Sequence, residues 1–160
     1  MKEKVLQISY QIADKLTDLS KQDQVLIIQA QTARQSSHAP YSDFNVGAAL
    51  LMQNGEIVCG SNQENAAYPI GLCAERTAIS ASIALFPAEK INTIAIVASS
   101  KSIDVPLPVA PCGICRQTLL ESELKQKSNI RILLHGNNGT TFIFKSVKEL
   151  LPLHFDAEYL

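Results

Sequence analysis

Three cysteines in two short elements, Cys73-Ala74-Glu75-Arg76 and Pro111-Cys112-Gly113-Ile114-Cys115, restrict the folds open to this chain more than any other feature. Two cysteines separated by two residues can set both sulfurs on one tetrahedral zinc when they open a helix, and a proline just before them suits such a start. A third thiolate must then arrive from elsewhere, and Cys73 at the start of an earlier helix supplies it. The two helix starts meet only if the strands feeding them are neighbours in one sheet. Three protein ligands leave the fourth tetrahedral position for water, the geometry of a catalytic zinc and not of a closed structural one.

The pattern along the chain supplies such a sheet. Val46 to Met52 is a continuous apolar run, Asn54-Gly55 is a strong hairpin signal, and Glu56 to Ser61 returns as the partner strand. Cys73 to Phe86 is rich in helix formers and stops at Pro87, while Ile91 to Ala98 has the length and apolarity of a buried strand. Pro106 to Pro111 forms a loop into a second cysteine-bearing helix, Cys112 to about Glu123. Ile130 to Leu134 and Thr140 to Phe144 read as strands joined through Gly136-Asn137-Asn138-Gly139, followed by a short helix that Ser146 and Glu149 cap. Upstream, Ser20 and Asp23 open a helix with Leu26, Ala30 and Ala33 at helical spacing, running to about Ser36 and ended by Ala39-Pro40. Leu6, Ile8, Tyr10 and Ile12 alternate as in a strand with one buried face, although Val5, Ile8, Ile12 and Leu16 also fit a helical stripe. Helices interleaved with about five strands predict a three-layer α/β/α sandwich on a mixed sheet. Residues 1–160 are expected to form one domain, with 1–20 as an N-terminal extension that could add an edge strand.

Composition narrows the function. With 14 basic and 15 acidic side chains and a net charge of -1, the chain lacks the positive field that dominates affinity for a phosphate backbone, which disfavours a polynucleotide. No segment reaches the roughly 18 apolar residues of a membrane span, and Met1-Lys2-Glu3-Lys4 leads into polar sequence, so a soluble, cytoplasmic protein is expected. In that compartment the four cysteines are thiols or metal ligands. Cys59, mid-strand and without a ligand context, is expected to be a buried apolar residue.

A cluster of three thiolates and one zinc carries a net negative charge, so cationic groups should offset it. Arg76, one turn from Cys73, and Arg116, next to Cys115, can donate to the sulfurs, and the positive ends of two helices add to them. Glu75, in the first turn beside Cys73, can lean over the metal and carry protons. Taken singly, a Cys-x-x-Cys pair is as consistent with a redox couple or a structural zinc. Neither of those needs Glu75.

Together these elements resemble the zinc nucleobase deaminase signature, a ligand-x-Glu element followed by Pro-Cys-x-x-Cys. Ala39-Pro40-Tyr41-Ser42-Asp43-Phe44-Asn45-Val46-Gly47-Ala48-Ala49, Asn62-Gln63-Glu64-Asn65-Ala66-Ala67-Tyr68, Leu72 to Arg76 and Pro111 to Gln117 are similar to the free-nucleoside cytidine deaminases, as is Leu150-Leu151-Pro152 with Phe155. The resemblance runs from about Val25 to Leu160. It implies hydrolytic deamination of cytidine and 2′-deoxycytidine by zinc-activated water at C4, in pyrimidine salvage, with one Zn2+ per subunit on Cys73, Cys112 and Cys115 and with Glu75 as acid and base. It implies that Asn62 and Glu64 bind the ribose hydroxyls, that Phe44 stacks on the pyrimidine and that the backbone N–H of Ala74 holds the base. Arg76, Arg116 and Gln117 lie behind the ligands. Tyr68 and Phe155 match positions that line the pocket across a subunit interface, which implies a homotetramer with shared sites; the charge balance and hydropathy predict no nucleic-acid or membrane partner. His38 stands where the family commonly has an aromatic or a cysteine, and the residues before about Lys21 lie outside the family's compact core. The alternatives are a zinc deaminase acting on another aminated pyrimidine nucleoside or a nucleic-acid base, a zinc-binding protein without turnover, and a thiol oxidoreductase using Cys112 and Cys115.

Overall fold

The computed structural model describes residues 1–160. Its elements in chain order are β1 (Gln11–Ala13), α1 (Lys21–Arg34), β2 (Phe44–Met52), β3 (Ile57–Ser61), α2 (Ala74–Leu85), β4 (Ile91–Ser100), α3 (Gly113–Gln126), β5 (Arg131–His135) and β6 (Thr141–Phe144). The sheet has six strands, not about five, in the order β1-β6-β5-β4-β2-β3. No helix is long and apolar enough to cross a membrane.

Strand periodicity divides the core in two. Ala48, Leu50, Ile94, Ile96, Ile132 and Leu134 face the layer formed by α2 and α3, with Ala78, Ile79, Leu119 and Leu120 packed against them. Their neighbours Ala49, Leu51, Ala95, Val97 and Leu133 face α1, which contributes Leu26, Ile27 and Ala30. Two helices on one face and one on the other make the three-layer sandwich.

Two glycines bring the helices close. A Cβ on Gly47 would lie 2.0 Å from the Ala30 carbonyl oxygen, and one on Gly60 would lie 2.5 Å from both the Ala74 oxygen and the Ala78 nitrogen. Gly60 therefore sets how deeply the start of α2 sits on the sheet.

Topology brings the two cysteine elements to one end. β3 and β4 each pair antiparallel with β2, so they run parallel to one another and both end at the same edge of the sheet. α2 follows β3 and α3 follows β4, so both helices open at that edge. The first residue of β2 lies there as well, with Phe44 in register with Ser100. Because β4 and β5 are parallel, the site also sits at the carboxyl end of a crossover unit, where open α/β sheets bind ligands.

The N-terminal alternation yields less strand than its length predicts. Only Gln11–Ala13 pairs with β6, since β6 ends at Phe144 and Gln11 already lies opposite Ile143. Tyr10 stacks on Phe144 at a ring distance of 5.1 Å and tilts over Phe142, while Leu6 and Ile8 stay exposed. Ser20 caps α1 by accepting from the Asp23 backbone N–H, but the Asp23 carboxylate leaves the cap to pair with Arg131 of β5. Cys59 is also not where its sequence context puts it. It is exposed, because β3 is the edge strand and α1 covers that position only in part, with the Gln29 carbonyl 4.0 Å from its sulfur.

Candidate metal centre

Cys73 and Cys112 are the N-cap residues of α2 and α3, both with extended backbone and neither using its side chain as a cap. Their sulfurs are thereby free to turn toward each other. Cys115 lies one turn into α3 and is buried. The Cys73 and Cys112 sulfurs are 3.8 Å apart, those of Cys112 and Cys115 are 3.4 Å apart, and all three lie within 4.8 Å of one another. Sulfurs about 2.3 Å from a tetrahedral zinc stand roughly 3.8 Å apart, so the trio has the spacing that ion requires. The donors are soft thiols, all of them free, and the two helix N-termini direct their positive ends at the negative charge that three thiolates would concentrate.

The thiols share their protons unequally. Hydrogen bonding from Cys115, the largest influence, pushes the Cys73 thiol down to about 6 against the opposing effect of burial, with smaller help from Cys112 and the Arg76 charge. Cys115 is pushed far up by the same contact with Cys73, and then by burial. Cys73 is thus the thiolate of the group.

Glu75 stands in the first turn of α2 at 4% exposure. Burial raises its carboxyl above the ordinary range, partly offset by its own backbone N–H and the Cys115 thiol. A carboxyl whose burial favours the protonated form more than in water is suited to both accept and return a proton.

A cavity of about 410 Å³ opens in front of this group, of a size for a small organic ligand. Cys73, Cys112 and Glu75 lie on it, with Phe44, Asn62, Glu64 and Tyr68. Ala74 is fully buried as the first residue of α2, so its backbone N–H has no partner within the helix. Asn62 accepts from Val46 N–H and donates to the Phe44 carbonyl, both at 2.8 Å, which fixes its amide against β2 and leaves one N–H uncommitted. Tyr68 is 72% exposed and meets Tyr41 edge to face. Phe155 is outside the cavity of its own chain, where it stacks on Tyr159.

The three residues behind the ligands act differently from a set of thiolate donors. Arg116 directs Nε to the Pro111 carbonyl at 2.8 Å and Nη1 to the Leu150 carbonyl at 2.7 Å, so it clamps the cysteine loop to the C-terminal segment and not to sulfur. Gln117 donates to the Phe155 carbonyl at 2.9 Å and tethers the same segment. Arg76 acts on Cys73 by charge alone. His38 holds the 62–64 segment through its backbone, accepting from Glu64 N–H and donating to the Asn62 carbonyl. Sequence reasoning did not single out Ile96, Ala98, Val109 and Ala110, which complete the cavity wall, nor the Ser42 hydroxyl, which donates to Glu64. The first four are apolar positions with no chemical signature. Ser42 had one, a serine two residues before a strand start, where its oxygen can accept the following N–H.

Comparison with known proteins gives a consistent pattern. The family model for the cytidine and deoxycytidylate deaminase zinc-binding region matches residues 20–129. The cytidine deaminase of Halalkalibacterium halodurans is 42% identical over 135 residues, covering 84% of this chain and 95% of that protein. The probable cytidine deaminase of Dictyostelium discoideum is 41% identical over 131 residues, covering 82% of each chain. The crystal structure of cytidine deaminase from Burkholderia pseudomallei superposes with a TM-score of 0.70 at 36% identity, covering 82% of this chain and 97% of that one.

Proposed function

The chain belongs to the cytidine and deoxycytidylate deaminase zinc-binding family, and on that premise we propose that it hydrolyses cytidine and 2′-deoxycytidine to uridine and 2′-deoxyuridine with release of ammonia. The observation that carries this reading is the placement of the buried Glu75 and of Cys73 and Cys112, two of the clustered cysteines, on one cavity with Phe44, Asn62 and Glu64. Zinc held by Cys73, Cys112 and Cys115 supplies, when bound, a water of lowered pKa as the nucleophile for C4. Glu75 is placed to take a proton from the attacking water and to deliver it to ring N3. The second water proton passes through the same carboxyl to the departing N4, which leaves as ammonia while N3 keeps its hydrogen. Phe44 offers a half-buried ring for stacking on the pyrimidine, and the Ala74 N–H is placed to donate to the base. The free N–H of Asn62 and the Glu64 carboxylate take the sugar hydroxyls.

The family description includes both nucleosides and nucleotides, and the cavity favours the nucleoside. None of its lining residues is Lys, Arg or His, and Glu64 brings a negative charge to the sugar side. A 5′-phosphate brought to that side meets a like charge with no cation on the cavity lining to offset it. Cytidine 5′-monophosphate is therefore expected to have a kcat/KM about 10-fold or more below that of cytidine, measured by ammonia release. Equal rates on the two would overturn the nucleoside assignment. The same comparison with a cytidine-containing oligonucleotide tests the alternative of a nucleic-acid substrate.

A homotetramer in the cytoplasm, with sites shared between subunits, accounts for the apolar rim of the cavity. Tyr68, Ile70 and Leu72 are exposed at or next to its lining, and Leu153 and Phe155 are exposed away from it on the C-terminal segment that Gln117 and Arg116 tether. A partner's Phe155 segment laid over the cavity mouth would cover both sets. The expected species in the soluble cell fraction sediments at about four times the 17.4 kDa of one chain. A monomer with full activity would remove the shared site.

A further inference from the structure

We propose that Ser42 is a positioning residue for nucleoside recognition: its hydroxyl fixes the Glu64 carboxylate in the orientation that receives the sugar hydroxyls. The proposal rests on the reading of Glu64 as a sugar ligand and adds a residue to it.

A glutamate on the segment leaving an edge strand would ordinarily sample several rotamers, and a sugar would have to select one of them at an entropic cost. Here three donors from the adjoining loop remove that freedom. The Tyr41 N–H donates to Oε2 at 2.9 Å, the Ser42 N–H donates to the same oxygen at 3.3 Å, and the Ser42 hydroxyl donates to Oε1. Oε2 is thereby filled by two backbone donors. Oε1 has one partner and keeps a lone pair for a ligand, so the serine decides which oxygen serves the sugar.

The same hydroxyl oxygen accepts the Phe44 N–H at 3.1 Å. A single atom therefore joins the carboxylate on the sugar side to the backbone of the ring on the base side, which fixes their separation before substrate arrives. The donors also keep the Glu64 carboxyl below its ordinary range, the Ser42 hydroxyl contributing most, so the group is an ionised acceptor.

Ser42→Ala should raise KM for cytidine about 10-fold and leave kcat within about 2-fold, because a hydrogen bond to a charged group is lost while Glu75 and the thiols are untouched. The inhibition constant of uridine, which carries the sugar, should rise by the same factor. That of 1-methyluracil, which carries none, should not move. Ser42→Cys keeps nearly the same volume with a weaker donor, and it carries the same expectation should the alanine variant not accumulate as folded protein.

Glu64→Gln separates the proposal from the reading beneath it. If Glu64→Gln raises KM and Ser42→Ala does not, the role of Ser42 is rejected and the sugar site stands. If neither raises KM, the sugar assignment of Glu64 fails and the proposal fails with it. A loss of affinity for uridine and 1-methyluracil alike would assign the serine to the Phe44 backbone instead and would equally overturn it.

Discussion

Replacement of Glu75 by Gln is expected to lower kcat for cytidine about 10⁴-fold while the protein still binds one zinc per chain. The carboxyl is buried in the first turn of α2, where an amide of the same shape preserves the packing. It does not preserve the proton traffic. Two protons must move in each turnover, from water to N3 and from the oxygen on C4 to N4, and no other carboxylate lines the metal end of the cavity. General acid–base catalysis by one positioned group contributes about 10²- to 10⁴-fold, and a group serving both transfers belongs at the upper end, near 5 kcal/mol of barrier. KM should change little, since Glu75 is not assigned to ground-state binding. Ammonia release and zinc analysis on the same preparation check both halves. A variant that keeps kcat within 10-fold of the parent would remove Glu75 from the chemistry.

The raised carboxyl has a physical origin in the fold. α2 begins where β3 ends, Gly60 lets the helix approach the sheet closely, and the first turn is pressed into the core. Burial of Glu75 then follows from the glycine two residues before Asn62, and burial is the main cause of its shift. Had α2 stood farther from the sheet, the same carboxyl would be wetter and a more ordinary acid.

Much of this arrangement was legible in the sequence because it depends on local rules. The cysteine spacing required two helix starts at one sheet edge, and the strand runs on either side provided it. Asn54-Gly55 turned the hairpin as its residues predict, with Gly55 at φ 90° and Asn54 accepting from Glu56 N–H. What escaped depends on partners far along the chain. Alternation from Leu6 to Ile12 could not reveal that β6 is too short to pair with most of it. Cys59 looked like a core residue because nothing in its neighbourhood says that β3 lies at the sheet edge. Arg116 lies beside a metal ligand in sequence, yet carbonyls of Pro111 and Leu150 take its donors, and the second of these comes from a segment no local pattern connects to it. Glu64 was legible from the resemblance, but its dependence on Ser42 needed the fold to bring residues 22 positions apart together.

Cys73→Ala should abolish both activity and zinc, and it differs from Glu75→Gln in that second effect. Two thiolates on one turn of α3 remain, and they lack the third donor that sets a tetrahedral ion at the mouth of α2. Elemental analysis is expected to fall from about one zinc per chain to less than about 0.1. A metal that binds only the folded chain stabilises it by mass action, so a chelator should lower the Tm of the parent and leave that of Cys73→Ala unmoved. Cys59→Ala provides the contrast. Its sulfur approaches α1 at the Gln29 carbonyl, on the face of the sheet opposite α2 and α3, so zinc content and turnover should stay at parental values. Full zinc occupancy in Cys73→Ala would mean that the ion is held elsewhere. The assignment of the open coordination position, and with it the nucleophile, would then have to be abandoned, because the cavity meets the cysteine trio at Cys73 and Cys112.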